Sequence, residues 1–212
     1  MAHLAPSTVS DFVTASPTHK DLSFRFLQYL CKTIGTTVRG KEQLLAIAGA
    51  IDSARGFSRF FDVVGAVRDV ESGWSVQKLA ALASCPLEGW YYLNMHAPRL
   101  VPVPEHLGRL VGFLGGTWAA LEALVSLRRL ALLRRAQGAR AASERVLREC
   151  EALRRKAIKL LLDALLNASW ALGPLPGLGP RRLCALGMVS ASLGLLVRRD
   201  DDAAAAEARS KE

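Results

Sequence analysis

The sequence predicts an all-α, membrane-associated fold, and three observations carry that prediction. Apolar residues recur at helical spacing through most of the chain, and period-2 alternation is absent. Two stretches, 110–127 and 183–197, are almost free of charge and approach the length of a membrane span. A large share of the positive charge lies between them, in one segment. Half of the 212 residues are hydrophobic and the mean hydropathy is +0.18. That is high for a soluble protein and low for a polytopic carrier.

Residues 1–18 are polar, hold two prolines and lack the apolar core of a signal peptide, so they are expected as a flexible N-terminus. An amphipathic region, 19–97, follows. Its first helix opens near Ser16-Pro17-Thr18 and runs to Arg39, before Gly40. On a 100° wheel Phe24, Leu27, Leu30, Cys31, Ile34 and Val38 share one side. Arg25, Gln28, Lys32, Thr36 and Arg39 take the other. A second helix is expected over 41–51 and a third over 53–70. In the third, Phe57, Phe60, Val63, Val64 and Val67 oppose Arg55, Ser58, Asp62 and Asp69, and Arg59 joins Arg55 among the basic residues expected at lipid head groups. Such helices can lie in a membrane interface, apolar side down and cationic side toward lipid head groups. Over a soluble core, an ordinary surface helix has the same pattern.

A further helix, 76–84, should stop before Pro86. Trp90-Tyr91-Tyr92 has the aromatic density of a membrane–water boundary, or of core packing. Pro98, Pro102 and Pro104 then break the chain over 98–106.

The remaining region, 107–198, reads as membrane helices around a basic helix. In 110–127 the only charge is Glu122, and Arg109 and Arg128-Arg129 flank the stretch. An acid at that depth must face protein or water. A buried bundle helix is the competing reading. Between Arg128 and Lys159 lie eleven Arg/Lys and three Glu, so this segment carries +8 of the net +9. It reads as a long helix interrupted near Gly138. Such a run suits anionic lipid or a targeting receptor. Nucleic acid is not expected as a partner, because no aromatic residue between Arg128 and Trp170 offers a stacking platform. Within it, Arg154, Arg155 and Lys156 adjoin the apolar helix 157–172, the composition of an internal membrane-targeting signal. Lys159, Asp163 and Asn167 form a polar stripe on that helix. After the Gly/Pro turn at 173–180, the helix 183–197 carries Gly187/Ala191 and Ser190/Gly194 four apart, the spacing of close helix packing. The acidic, Ala-rich tail from 199 is expected to be disordered.

No catalytic motif, cofactor motif or metal-ligand spacing occurs: four cysteines lie far apart and four histidines fall in loops. An enzyme is not expected, nor is a cofactor or a metal.

Lys20-Asp21-Leu22, Arg25, Gln28-Tyr29 and Cys31-Lys32 resemble the N-terminal helix of the peroxin-11 family. Ser53-Ala54-Arg55 with Ser58-Arg59-Phe60 resembles that family's next helix, and Tyr91-Tyr92 its mid-chain aromatic pair. Residues 186–195 are similar to its terminal membrane segment. The Ala/Arg-rich loop and Asn94-Met95-His96 look closest to the kinetoplastid glycosomal membrane branch, although Asn94 stands where an acid often follows the tyrosines. The resemblance implies a peroxisomal or glycosomal membrane protein that elongates the organelle before fission. It also implies cytosolic termini, self-association, a membrane-protein import receptor and recruitment of the fission machinery. With two crossings, those termini and the basic segment fall on opposite sides, against the positive-inside rule. A pore for small metabolites with Glu122, Arg109 and Asp163 facing a lumen is the alternative function, and a soluble all-α adaptor a third.

Overall fold

The computed structural model describes residues 17–38, 42–60, 67, 70–71, 73–96, 98–104, 106–137, 144–173 and 175–209. Among these, six helices can be given bounds, Val67, Val70 and Glu71 are helical as well, and no strand occurs. They are α1 (Pro17–Gly35), α2 (Glu42–Phe60), α3 (Val76–His96), α4 (Leu107–Gln137), α5 (Glu144–Leu172) and α6 (Pro180–Arg209). The all-α class expected from the periodicity is therefore what forms.

Each helix packs against the next in sequence, and α6 returns to α1. The six close into a ring. Facing residues give the directions. In α1 and α6, Leu22 meets Gly194 and Tyr29 meets Gly187, while Arg181 donates to the Thr36 carbonyl, so the two run antiparallel. α4 and α5 are antiparallel as well: Gly112 sits against Ala171, Glu122 against Lys156 and Arg129 against Glu149. In α5 and α6, Asp163 meets Ser190 and Arg155 meets Asp200. The α1–α2 hairpin pairs Gly35 with Leu45 and Asp21 with Arg55.

Several boundaries depart from the sequence expectation for identifiable reasons. α1 ends at Gly35 rather than Arg39, because Thr36 and Thr37 hydroxyls turn back onto the Thr33 and Ile34 carbonyls. The helices expected over 41–51 and 53–70 begin as one. Ser53 donates its hydroxyl to the Gly49 carbonyl inside α2 and so does not interrupt it. Pro86 lies inside α3, whose start is capped by Ser75 Oγ accepting from the Lys78 amide at 3.2 Å. The helix continues past the proline, against the expected stop at 84. α4 runs through Arg128-Arg129 to Gln137, and α5 ends at Gly173, whose φ of +87° suits a left-handed cap. The tail expected to be disordered is helical as far as Arg209. Asp200 is held by Arg155, and the alanines that follow are the best helix formers.

Two helices, Leu107–Ala136 and Pro180–Asp201, contain windows long and apolar enough to cross a membrane. Only 33% and 28% of those windows is buried in the bundle, whereas the core helix of a soluble protein is mostly covered.

Candidate functional site

The polar residues of α1 turn into the ring. A cleft of about 880 Å³ is lined by side chains from all six helices. Six cations reach it: Arg25, Lys32, Arg55, Lys156, Lys159 and Arg198. Six carboxylates answer them: Asp21, Asp52, Glu88, Glu122, Asp163 and Asp201. Among the described lining residues formal charge is thus balanced, Asp201 being exposed.

Asp163 of α5 is the most heavily engaged of these groups. Its Oδ1 lies 2.5 Å from Arg25 Nη2 of α1 and accepts from Ser190 Oγ of α6, also at 2.5 Å. Its Oδ2 faces Lys159 Nζ at 2.8 Å. One carboxylate therefore ties three helices together. Arg55, buried in α2, is the second node: it donates to Asp21 at 2.8 Å and to Gln28 Oε1 at 2.6 Å. The Tyr29 ring sits 5.9 Å from both the Arg25 guanidinium and the Lys32 ammonium, within cation–π range. Lys32 also faces Asp52 at 3.6 Å. Outside the ring, the Arg148 hydrogen bond holds the exposed Glu144 carboxyl below its usual pKa.

Leu22 and Cys31 of α1 are buried as well, and its other apolar residues point the other way. Phe24, Leu27, Ile34 and Val38 are exposed on the outer surface, Val67 is exposed as well, and Leu30 is half-buried. The side chains of Phe57, Phe60 and Arg59, and all of Val63, Val64 and Arg39, lie outside the described residues. The head-group role expected of Arg25, Lys32 and Arg55 does not fit their placement. They pair instead with Asp163, which is buried, and with Asp52 and Asp21, which are partly exposed.

Of the cluster expected to address the protein, Arg154 is exposed beside Glu151, while Arg155 bonds Asp200 and Lys156 faces Glu122. The small residues of α6 pack within the chain: Gly187 receives the Tyr29 ring, Gly194 receives Leu22, Ser190 holds Asp163 and Ala191 is fully buried. Asn167, the last residue of the polar stripe, lies against Gly115 and Gly116 of α4. Gln28, Asp52 and Glu88 belong to the cleft without having been expected there. Gln28 lies on the polar side of the α1 wheel, while Asp52 and Glu88 fall outside the helices expected from sequence. Among the described residues no group of His, Cys, Asp and Glu is arranged to hold a metal ion.

No protein-family model, curated protein or solved structure matches this chain.

Proposed function

We propose that this is a peroxisomal or glycosomal membrane protein that elongates and remodels the organelle membrane by inserting its outward apolar faces. The observation that carries the membrane part is the arrangement of α1, with Phe24, Leu27 and Ile34 exposed on its outer side, Val38 exposed just beyond its end, and Arg25 and Lys32 paired inside. A soluble bundle would present the opposite sides. Transfer of each half-exposed apolar side chain into acyl chains gains roughly 1 kcal/mol, so three on one short helix, with Val38 just beyond its end, favour insertion. The organelle and the remodelling role rest on the resemblance to the peroxin-11 family, and with them come an import receptor, fission machinery and self-association as partners.

Imaging a tagged copy beside a peroxisomal matrix marker tests the reading. Co-localisation, resistance to carbonate extraction and elongated organelles on overexpression are expected, and Leu27→Glu should reduce the elongation. Diffuse cytosolic signal with a carbonate-soluble protein would leave the adaptor reading in its place.

A second reading, passage of small metabolites, is favoured by one placement: Glu122 and Asp163 both line the polar cleft. Arg109, expected with them, is exposed at the start of α4 and is not among the lining residues. Efflux of a small charged dye from proteoliposomes carrying the protein tests this reading. A tight vesicle ends it.

A further inference from the structure

The distribution of exposed charge defines a belt. Among the described side chains, no exposed residue is charged between 110 and 127 of α4, 157 and 172 of α5, or 183 and 198 of α6. The same holds from 24 to 38 across α1, from 45 to 56 in α2 and from 76 to 92 in α3. Exposed residues in these ranges include Phe24, Ile47, Leu79, Phe113, Leu161 and Val189. The charged side chains within the belt line the cleft, except that Lys78 turns back to the Gly73 carbonyl.

In α1, α4, α5 and α6 the belt lies at one level. Leu22 faces Gly194 and Asp163 faces Ser190, whereas Thr36 meets Arg181 and Gly112 meets Ala171 further along. The antiparallel register thus brings the uncharged ranges of four helices alongside one another. At 1.5 Å per residue the uncharged ranges run from about 18 Å for 45–56 to about 27 Å for 110–127. A bilayer's hydrocarbon core is about 30 Å thick. Exposed arginines begin where the belt stops: Arg128, Arg129 and Arg199 at one end, Arg109, Arg181 and Arg182 at the other. Both rims complement lipid phosphate.

We infer that the acyl chains of a single bilayer surround the whole ring, so that α1, α2 and α3 cross the membrane beside α4, α5 and α6 instead of lying flat upon it. This rests on the membrane reading above and deepens it. Two crossings become six. The sides follow from the register: the start of α1, the α4–α5 tip and the far end of α6 occupy one end of the ring, as Leu22/Gly194, Arg155/Asp200 and Arg129/Glu149 show. The basic segment 128–159 and both tails then share one side. Cytosolic termini and the positive-inside rule, opposed under two crossings, agree under six.

Spin labels at single cysteines replacing Phe24, Leu27, Ile34 and Val38, in a chain whose four native cysteines are alanine, measure depth after reconstitution in anionic phospholipid vesicles. A transverse α1 gives a ratio of oxygen to aqueous nickel accessibility that is highest near Leu27 and falls several-fold by Val38. Equal ratios at all four positions would mean a helix lying flat, overturning the inference while leaving the membrane reading intact. Water-like ratios at every position would overturn both. The unaltered sequence, tagged at both ends, supplies a second measurement where the cysteine-free chain does not fold. Trypsin added to sealed membranes should cut the 128–159 segment from the same side as both tags. Protection of that segment while the tags are cleaved would overturn the six-helix arrangement.

Discussion

Arg25 and Asp163 are 138 residues apart in sequence and share the ion pair that joins the N-terminal hairpin to the C-terminal helices. Their side chains are 13% and 6% exposed, so the pair is shielded from bulk water. Lys159 and Ser190 satisfy the rest of the carboxylate. Removing the anion takes the carboxylate from two largely buried cations, Arg25 and Lys159. Asp163→Asn should therefore destabilise the protein by about 3–5 kcal/mol, the range for breaking a buried pair. Replacing the cluster with apolar residues (Arg25→Met, Lys159→Met, Asp163→Leu) should recover most of that loss. Thermal unfolding in detergent measures both. A single mutant within about 0.5 kcal/mol of the native protein would show that Asp163 is not the tie it resembles geometrically.

The glycines of α6 set how closely α1 approaches. A Cβ at Gly187 would fall 2.5 Å from the Tyr29 ring, which is pinned between Arg25 and Lys32. Gly187→Val should lift α1 from α6 and expose the first helix to limited proteolysis. Adding Tyr29→Ala should restore protection by vacating the space. Gly194→Ala meets only the far carbons of Leu22, a flexible side chain, and should be milder. Equal protease sensitivity of Gly187→Val and the native protein would mean that α1 is held elsewhere.

Helical periodicity made the two faces of α1 legible, but not their orientation. A wheel separates Phe24 and Leu27 from Arg25 and Lys32. Whether the cationic side meets lipid phosphate or a carboxylate depends on Asp163 and Asp52, and local sequence is silent on such contacts. The stripe Lys159, Asp163, Asn167 was visible from its spacing, as was the close packing of Gly187, Ser190, Ala191 and Gly194. Their partners, Tyr29 and Arg25, were not. Pro86 and Ser53 misled because breaker signals are local, while the ring supports α3 and α2 over their whole length.

Targeting separates from stability within the basic cluster. Arg154 is well exposed and its nearest acid, Glu151, is 3.8 Å away, a surface pair worth at most about 1 kcal/mol. Arg155 and Lys156 instead reach α6 and α4. Arg154→Gln should leave unfolding unchanged, while replacing all three with Gln should both loosen the bundle and mislocalise a tagged copy. Normal localisation of the triple variant would place the address in another part of the chain.

Glu122, the only charge between residues 110 and 127, faces Lys156 Nζ at 3.8 Å across the α4–α5 contact. At that distance the Coulomb attraction is about 4 kcal/mol at an effective dielectric constant of 20. The side chains are 27% and 46% exposed, so screening reduces the net coupling to about 1 kcal/mol. Glu122→Lys should destabilise the bundle by placing two ammonium groups together, Lys156→Glu by pairing two carboxylates, and the exchanged double variant should recover about the coupling energy. Repeating the cycle in high salt reads the hydration of the cleft. A coupling that fades with salt means that water and ions enter beside Glu122, as passage of solutes would require. One that persists means a dry contact that anchors α5 to the apolar length of α4. Zero coupling at low salt would show that Lys156 does not compensate Glu122, and the acid's tolerance within α4 would need another source.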